Sequence, residues 1–139
     1  MGTVLLAQDW ETIRRHYPQA VKNKDICQKH IQDLEKNPRS ALQFGYLGAY
    51  QTIWANHTFS PFSKLSTFKK GKNNLEKAIK MDGDNTELRW LRLTIQLHAP
   101  SFLNYNDDIE SDKSFIKKNK HKIHSTYLQQ QIKETLVLD

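Results

Sequence analysis

Apolar residues recur at intervals of three and four along most of this chain, and no segment sustains the alternation of a strand. In residues 20–36, Cys27, Ile31 and Leu34 share one helical face. Asn37-Pro38 ends that run, because proline pushes its predecessor out of helical geometry. Residues 40–57 are apolar on two sides, with Leu42, Ala49 and Ile53 in one stripe and Phe44, Leu47 and Trp54 in another. A helix apolar over so much of its girth needs cover from several neighbours, so it is expected at the centre.

Ser60-Pro61 reads as a helix start: serine caps well, and proline in the first turn loses no hydrogen bond. Leu65, Phe68, Leu75 and Ile79 then follow on one face. Gly71 costs that helix about 1 kcal/mol relative to alanine, which predicts a neighbouring backbone pressed against it. Asp84 with Glu87 forms an expected capping box for a helix bearing Leu88, Leu91 and Ile95 on one stripe and Trp90, Leu93 and Leu97 on another; Pro100 ends it. Asp107 with Glu110 repeats the signal ahead of Ile109, Phe115 and Ile116, and Ser125 opens a last helix with Leu128, Ile132 and Leu136. A short first helix over residues 9–16 is expected to be interrupted by Pro18. The prediction is an all-α fold of six to seven helices in stacked antiparallel pairs, as a right-handed array or a compact bundle. Residues 9–139 are expected to form a single domain.

Composition narrows the class. At 139 residues, 37% hydrophobic and 26% charged, the chain can bury a core, and no apolar run approaches the roughly 20 residues that cross a bilayer. Cys27 is the only cysteine, so neither an internal disulfide nor a cysteine metal cage can form; it is expected as a small buried hydrophobe. The net charge of +6 gathers in residues 64–80, with six lysines against Glu76, and in residues 113–122, with five lysines and no acid. Solvated helix faces account for such runs, and an anionic partner is the alternative. The start, MGTVLLAQDW, holds a short apolar run without basic residues ahead of it. Residues 1–8 are read as a signal-peptide remnant or a disordered N-terminus, with an ordinary first strand as the alternative. The remnant implies a periplasmic or secreted protein; otherwise the chain is cytoplasmic. Asn56-His57-Thr58 matches the glycosylation pattern, which matters only on a eukaryotic secretory route.

Residues 44–50, FGYLGAY, and 73–88, NNLEKAIKMDGDNTEL, resemble a tetratricopeptide repeat. Leu47-Gly48 stands for the family's Leu-Gly pair, Ala78 for the alanine near the end of its second helix, and Asp82-Gly83-Asp84-Asn85 for its turn. Gly83 replaces the usual proline, and the two halves lie about a third further apart than a 34-residue unit allows. The resemblance covers about forty residues and implies a helical fold that binds proteins or peptides on a concave face. The chain also resembles a group of uncharacterised bacterial proteins that share segments like residues 45–65 and 87–103.

Candidate chemistry is sparse. Arg89, Arg92 and Gln96 form one polar stripe on an otherwise apolar helix. Buried cations need partners, so the stripe predicts either pairing with acids and carbonyls of an adjacent helix or a clamp for carboxylate or phosphate. The clamp reading adds Tyr46, Tyr50, His57 and Lys64 to the same groove. His57, at a helix end, is expected to satisfy carbonyls there. His121 and His124 stand three apart without a third ligand, so no metal site is predicted. Asp107, Asp108, Glu110 and Asp112 lack the glycine and final glutamate of a calcium loop. No phosphate loop, nucleophile elbow or zinc-protease motif appears. No catalytic residues and no cofactor are therefore assigned. The leading expectation is a non-enzymatic protein- or peptide-binding module or scaffold. A nucleic-acid or anionic-surface binder comes second, and a small hydrolase with an unrecognised site third.

Overall fold

The computed structural model describes residues 8–138. Residues 1–7, on which the signal-remnant reading falls, lie outside the described residues. Seven α-helices follow in order among the described residues: α1 (Trp10–Gln19), α2 (Lys24–Glu35), α3 (Ala41–Trp54), α4 (Pro61–Met81), α5 (Thr86–His98), α6 (Ile109–Asn119) and α7 (Thr126–Leu136). Short 3₁₀ turns at Ala55–His57, Ser101–Leu103 and Lys120–Lys122 extend or follow α3, α5 and α6. The protein is all-α.

Local chemistry starts most helices where expected. Ser40 accepts from the Gln43 N–H while Gln43 Oε1 accepts from the Ser40 N–H, a complete capping box. Ser60 caps α4 with Pro61 in its first turn, and Ser125 caps α7. Four expectations are corrected. Pro18 lies inside α1, in its last turn, where only the bond to Arg14 is lost. Asn23 caps α2, so that helix begins at Lys24 rather than at Ala20. Asn85, not Asp84, caps α5, because the Glu87 side chain is drawn away to a distant arginine. Asp108 precedes α6 without a side-chain cap, so the Asp107–Glu110 box does not form.

The centre is the antiparallel crossing of α3 and α4. A Cβ on Gly48 would lie 2.4 Å from the Gly71 carbonyl oxygen, and one on Gly71 would lie 2.5 Å from the Gly48 carbonyl oxygen. Only two glycines let the helices touch backbone to backbone, so Gly71 sits at the predicted close approach. Around this contact Tyr46, Tyr50, Leu75, Leu88 and Leu91 are fully buried, and Phe68 and Trp90 also face inward. α2 covers one side of α3, where the Cys27 thiol donates to the Tyr50 carbonyl. α5 and α6 form a second antiparallel pair against α4.

Candidate functional site

The arginine stripe resolves into a saturated ion-pair knot. Arg92 grips the wholly buried Asp112 of α6 with two hydrogen bonds, Nε to Oδ2 at 2.8 Å and Nη2 to Oδ1 at 2.7 Å. Its remaining nitrogen donates to Glu76 of α4 at 3.1 Å. Gln96 Nε2 donates to Asp112 at 2.9 Å, while its oxygen accepts from the Asp108 N–H. Arg89 adds a longer bond to Asp112 at 3.4 Å, donates to the Gly83 carbonyl, and lies over the Phe115 ring. Burial works against the Arg92 charge, yet the hydrogen bonds and attraction of Asp112 outweigh it and hold its pKa above the ordinary value. Glu76 in turn accepts from the Tyr105 hydroxyl. A bidentate fork already filled by an internal carboxylate has no free donor pair to offer a second one.

The other four candidates lie elsewhere. Tyr46 donates to Glu87, which also accepts from Arg14 Nε at 2.7 Å and Nη2 at 2.8 Å, so α1, α3 and α5 meet there. Tyr50 donates to the Ile13 carbonyl. His57 reaches across to the Ala20 carbonyl at 2.8 Å, tying the turn after α3 to the end of α1. Lys64 points its ammonium at the Ala55 and Asn56 carbonyls at 3.4 and 3.5 Å. The structure thus gathers Arg89, Arg92 and Gln96 on Asp112, and it does not bring Tyr46, Tyr50, His57 and Lys64 to them. Among the seven, Lys64 alone lines the principal cavity described next.

That cavity has a volume of about 740 Å³ and lies between the ends of α1, α3, α4, α5 and α7. Tyr17, Phe68, Trp90 and Ile95 form much of its depth. The buried polar side-chain groups of its wall already have partners. The Thr94 hydroxyl donates to the Leu91 carbonyl and accepts from Tyr17, and Trp90 Nε1 donates to the Thr135 hydroxyl. Burial pushes the Tyr17 phenol up to about 12. Such walls present surface for apolar matter rather than a poised nucleophile.

The mouth is unusual for what it leaves uncovered. Val21, Leu65, Phe102 and Leu138 line the cavity and are exposed; Phe62 and Val137, next in sequence to the lining Pro61 and Leu138, are exposed too, as is Phe59 two residues before Pro61. Phe102 is 80% exposed and Phe59 93%. Met81 is the one large exposed apolar residue at the other end of α4, about 30 Å away at 1.5 Å per residue. Sequence reading missed this site; Phe59 and Phe62 astride the Ser60-Pro61 start were its signal, since a first helical turn is poorly covered.

Among the described residues no cluster of three or more His, Cys, Asp or Glu side chains could hold a metal ion, and no helix is long and apolar enough to cross a membrane. No family model matches the chain, and no curated protein and no solved structure matches it either.

Proposed function

We propose that the protein is a non-enzymatic binding module whose cavity, acting as a tetratricopeptide-like groove, takes an apolar segment of a partner protein. The observation that carries this reading is the gathering of exposed large apolar side chains around one cavity. Contiguous apolar surface of this kind marks interaction sites. Phe62 and Val137, each next in sequence to a lining residue, add exposed apolar surface close to that cavity. A groove walled by helices suits the apolar face of an amphipathic helix, with anchors at three- and four-residue spacing.

Titration calorimetry with amphipathic peptides of about 12–18 residues, rich in leucine and phenylalanine, tests the reading. Binding to the wild type that is lost in Leu65→Asp and in Phe102→Asp is the expected result. Folded wild type that binds no such peptide, or variants that bind as well as wild type, overturns it. The second reading, an anionic-surface binder, rests on Lys117, Lys118, Lys120 and Lys122, all exposed, which make no ion pair among the described residues. Salt separates the two, because phosphate-driven binding weakens steeply as salt rises while apolar binding does not.

A further inference from the structure

The wall that α1 lends to the cavity is fastened by a contact between two histidines. His16 Nδ1 on α1 and His30 Nε2 on α2 lie 2.8 Å apart, with ring centroids 5.0 Å apart. His30 is 7% exposed and lies against Tyr50 of α3, ring centroids 5.0 Å apart. Two nitrogens at this distance share one proton: one ring donates and the other accepts through its lone pair. When both facing nitrogens carry protons, no acceptor remains and two positive rings face each other. Immediately after His16 come Tyr17 and Pro18, then Val21 and Lys22, which form the α1 side of the cavity.

We propose that the His16–His30 contact is an acid-sensitive latch on the cavity wall, closed while the pair shares a proton and open once both rings are protonated. The charged groups around it are few. Asp9, the α1 cap, acts on His16; Lys29 and Asp33, on either side along α2, act on His30 in opposite senses; and Tyr50 is the titratable side chain stacked from α3. Burial, then the charge of His16, push the His30 pKa below its ordinary value near 6.5. The folded chain therefore holds the second proton more weakly than the unfolded chain does. The contact contributes its full stability above the ordinary histidine value and loses it as pH falls through the lower folded value. Opening is local. Arg14 stays paired with Glu87, Tyr50 still donates to the Ile13 carbonyl, and His57 still reaches the Ala20 carbonyl.

The latch deepens the cavity reading, since a loosened α1 wall would grip an apolar segment less well, but it is tested without any ligand. Amide hydrogen exchange of the full chain is followed from about pH 7.5 to about pH 5, the range where only histidines change charge strongly, with α5 as internal reference. The expected result is a loss of protection in the second half of α1 of about tenfold or more relative to α5. His16→Gln and His30→Gln each keep a neutral partner able to donate or accept, and each should abolish the change. His16 is only half-buried, so its variant carries the test if His30→Gln folds poorly. Protection of α1 that tracks α5 throughout, or a pH effect that survives in His16→Gln, overturns the latch. Peptide titration at pH 7.5 is a separate measurement: absent binding there would end the groove reading and leave the latch standing.

Discussion

The two halves of α4 meet opposite circumstances. Its C-terminal half lies against α3 and α5 through Gly71, Leu75, Ala78 and Ile79, all buried, with the Gly48 backbone in direct contact. Its N-terminal turn carries Phe62 and Leu65 in the open beside the cavity. One helix therefore shows what completed packing looks like in this protein and what was left incomplete. Small residues are used where surfaces close, and large ones stand uncovered where they do not. The interior is closed thoroughly elsewhere. Among the described residues no buried side-chain nitrogen or oxygen lacks a partner.

The largest expected effect lies on the closed side, at Asp112. Replacing it with alanine leaves Arg92, with only 7% of its side chain exposed, holding a buried charge whose best partner is gone. Breaking a buried pair in this way costs about 3–5 kcal/mol, and chemical denaturation of Asp112→Ala should show a loss of that order. Glu76 at 3.1 Å and Asp108 at 3.6 Å remain to take part of the charge, so the lower end of that range is expected. Arg89→Ala should lose far less, since the Arg89 bond to Asp112 is long at 3.4 Å and its side chain keeps partial contact with water. A loss for Asp112→Ala below about 1 kcal/mol would mean that the knot is not what fastens α6, and the contrast between closed side and open end would weaken.

Next comes the glycine crossing. In Gly48→Ala the new Cβ meets backbone atoms, the Gly71 oxygen at 2.4 Å and the Leu75 nitrogen at 2.7 Å, which can move only if the helices part. Alanine gains about 1 kcal/mol of helix preference, so a net loss of about 2 kcal/mol remains from overpacking near the top of its usual range. Gly83→Ala is the control. Its Cβ would come no closer than 3.5 Å to the Ile79 oxygen, an ordinary contact, and its stability should change by less than about 0.5 kcal/mol. Equal effects at the two positions would remove the argument that the seam is closed by backbone contact.

Much of this arrangement was legible along the chain because its signals are local. Ser40, Ser60-Pro61 and Ser125 act on atoms three residues away, and each helix starts where they stand. Gly71 announced a close approach because its cost to a helix needs a reason. The Asn23 cap of α2 was a local signal passed over, but other failures were decided at long range. Asp84 and Asn85 are both able caps one residue apart, and the choice turned on Glu87 being claimed by Arg14, 73 positions upstream. Periodicity showed that Arg89, Arg92 and Gln96 needed acidic partners, but the pattern of one helix cannot point to Asp112 on another. Tyr46, Tyr50, His57 and Lys64 were assigned to the same groove, whereas the fold sends each to a different set of partners. The cavity was hidden for a related reason: Leu65 and Phe68 belong to one helical stripe, and periodicity treats them alike.

Leu65, set beside Phe68, gives the smallest expected effect and the sharpest reading of the open end. Leu65 and Phe68 lie three residues apart on α4 and line the same cavity, but Leu65 is 40% exposed and Phe68 only 6%. Phe68 packs edge-on against Tyr105, centroids 6.0 Å apart, so Phe68→Ala should destabilise as a core truncation does. If the mouth were unfinished core, Leu65→Asp and Phe102→Asp would also destabilise, since each would set a charge against apolar neighbours with nothing to pair it. If it is a surface awaiting a partner, both side chains already stand in water, and thermal unfolding of either variant should stay within about 0.5 kcal/mol of wild type. The difference follows from where desolvation happens. The part of a side chain that still meets water in the folded state has lost no hydration on folding, and the free energy of covering that part is released only when something docks. Stability that survives Leu65→Asp while peptide binding does not would place that release outside folding; a drop of about 2 kcal/mol or more would return the mouth to the core and take the groove with it.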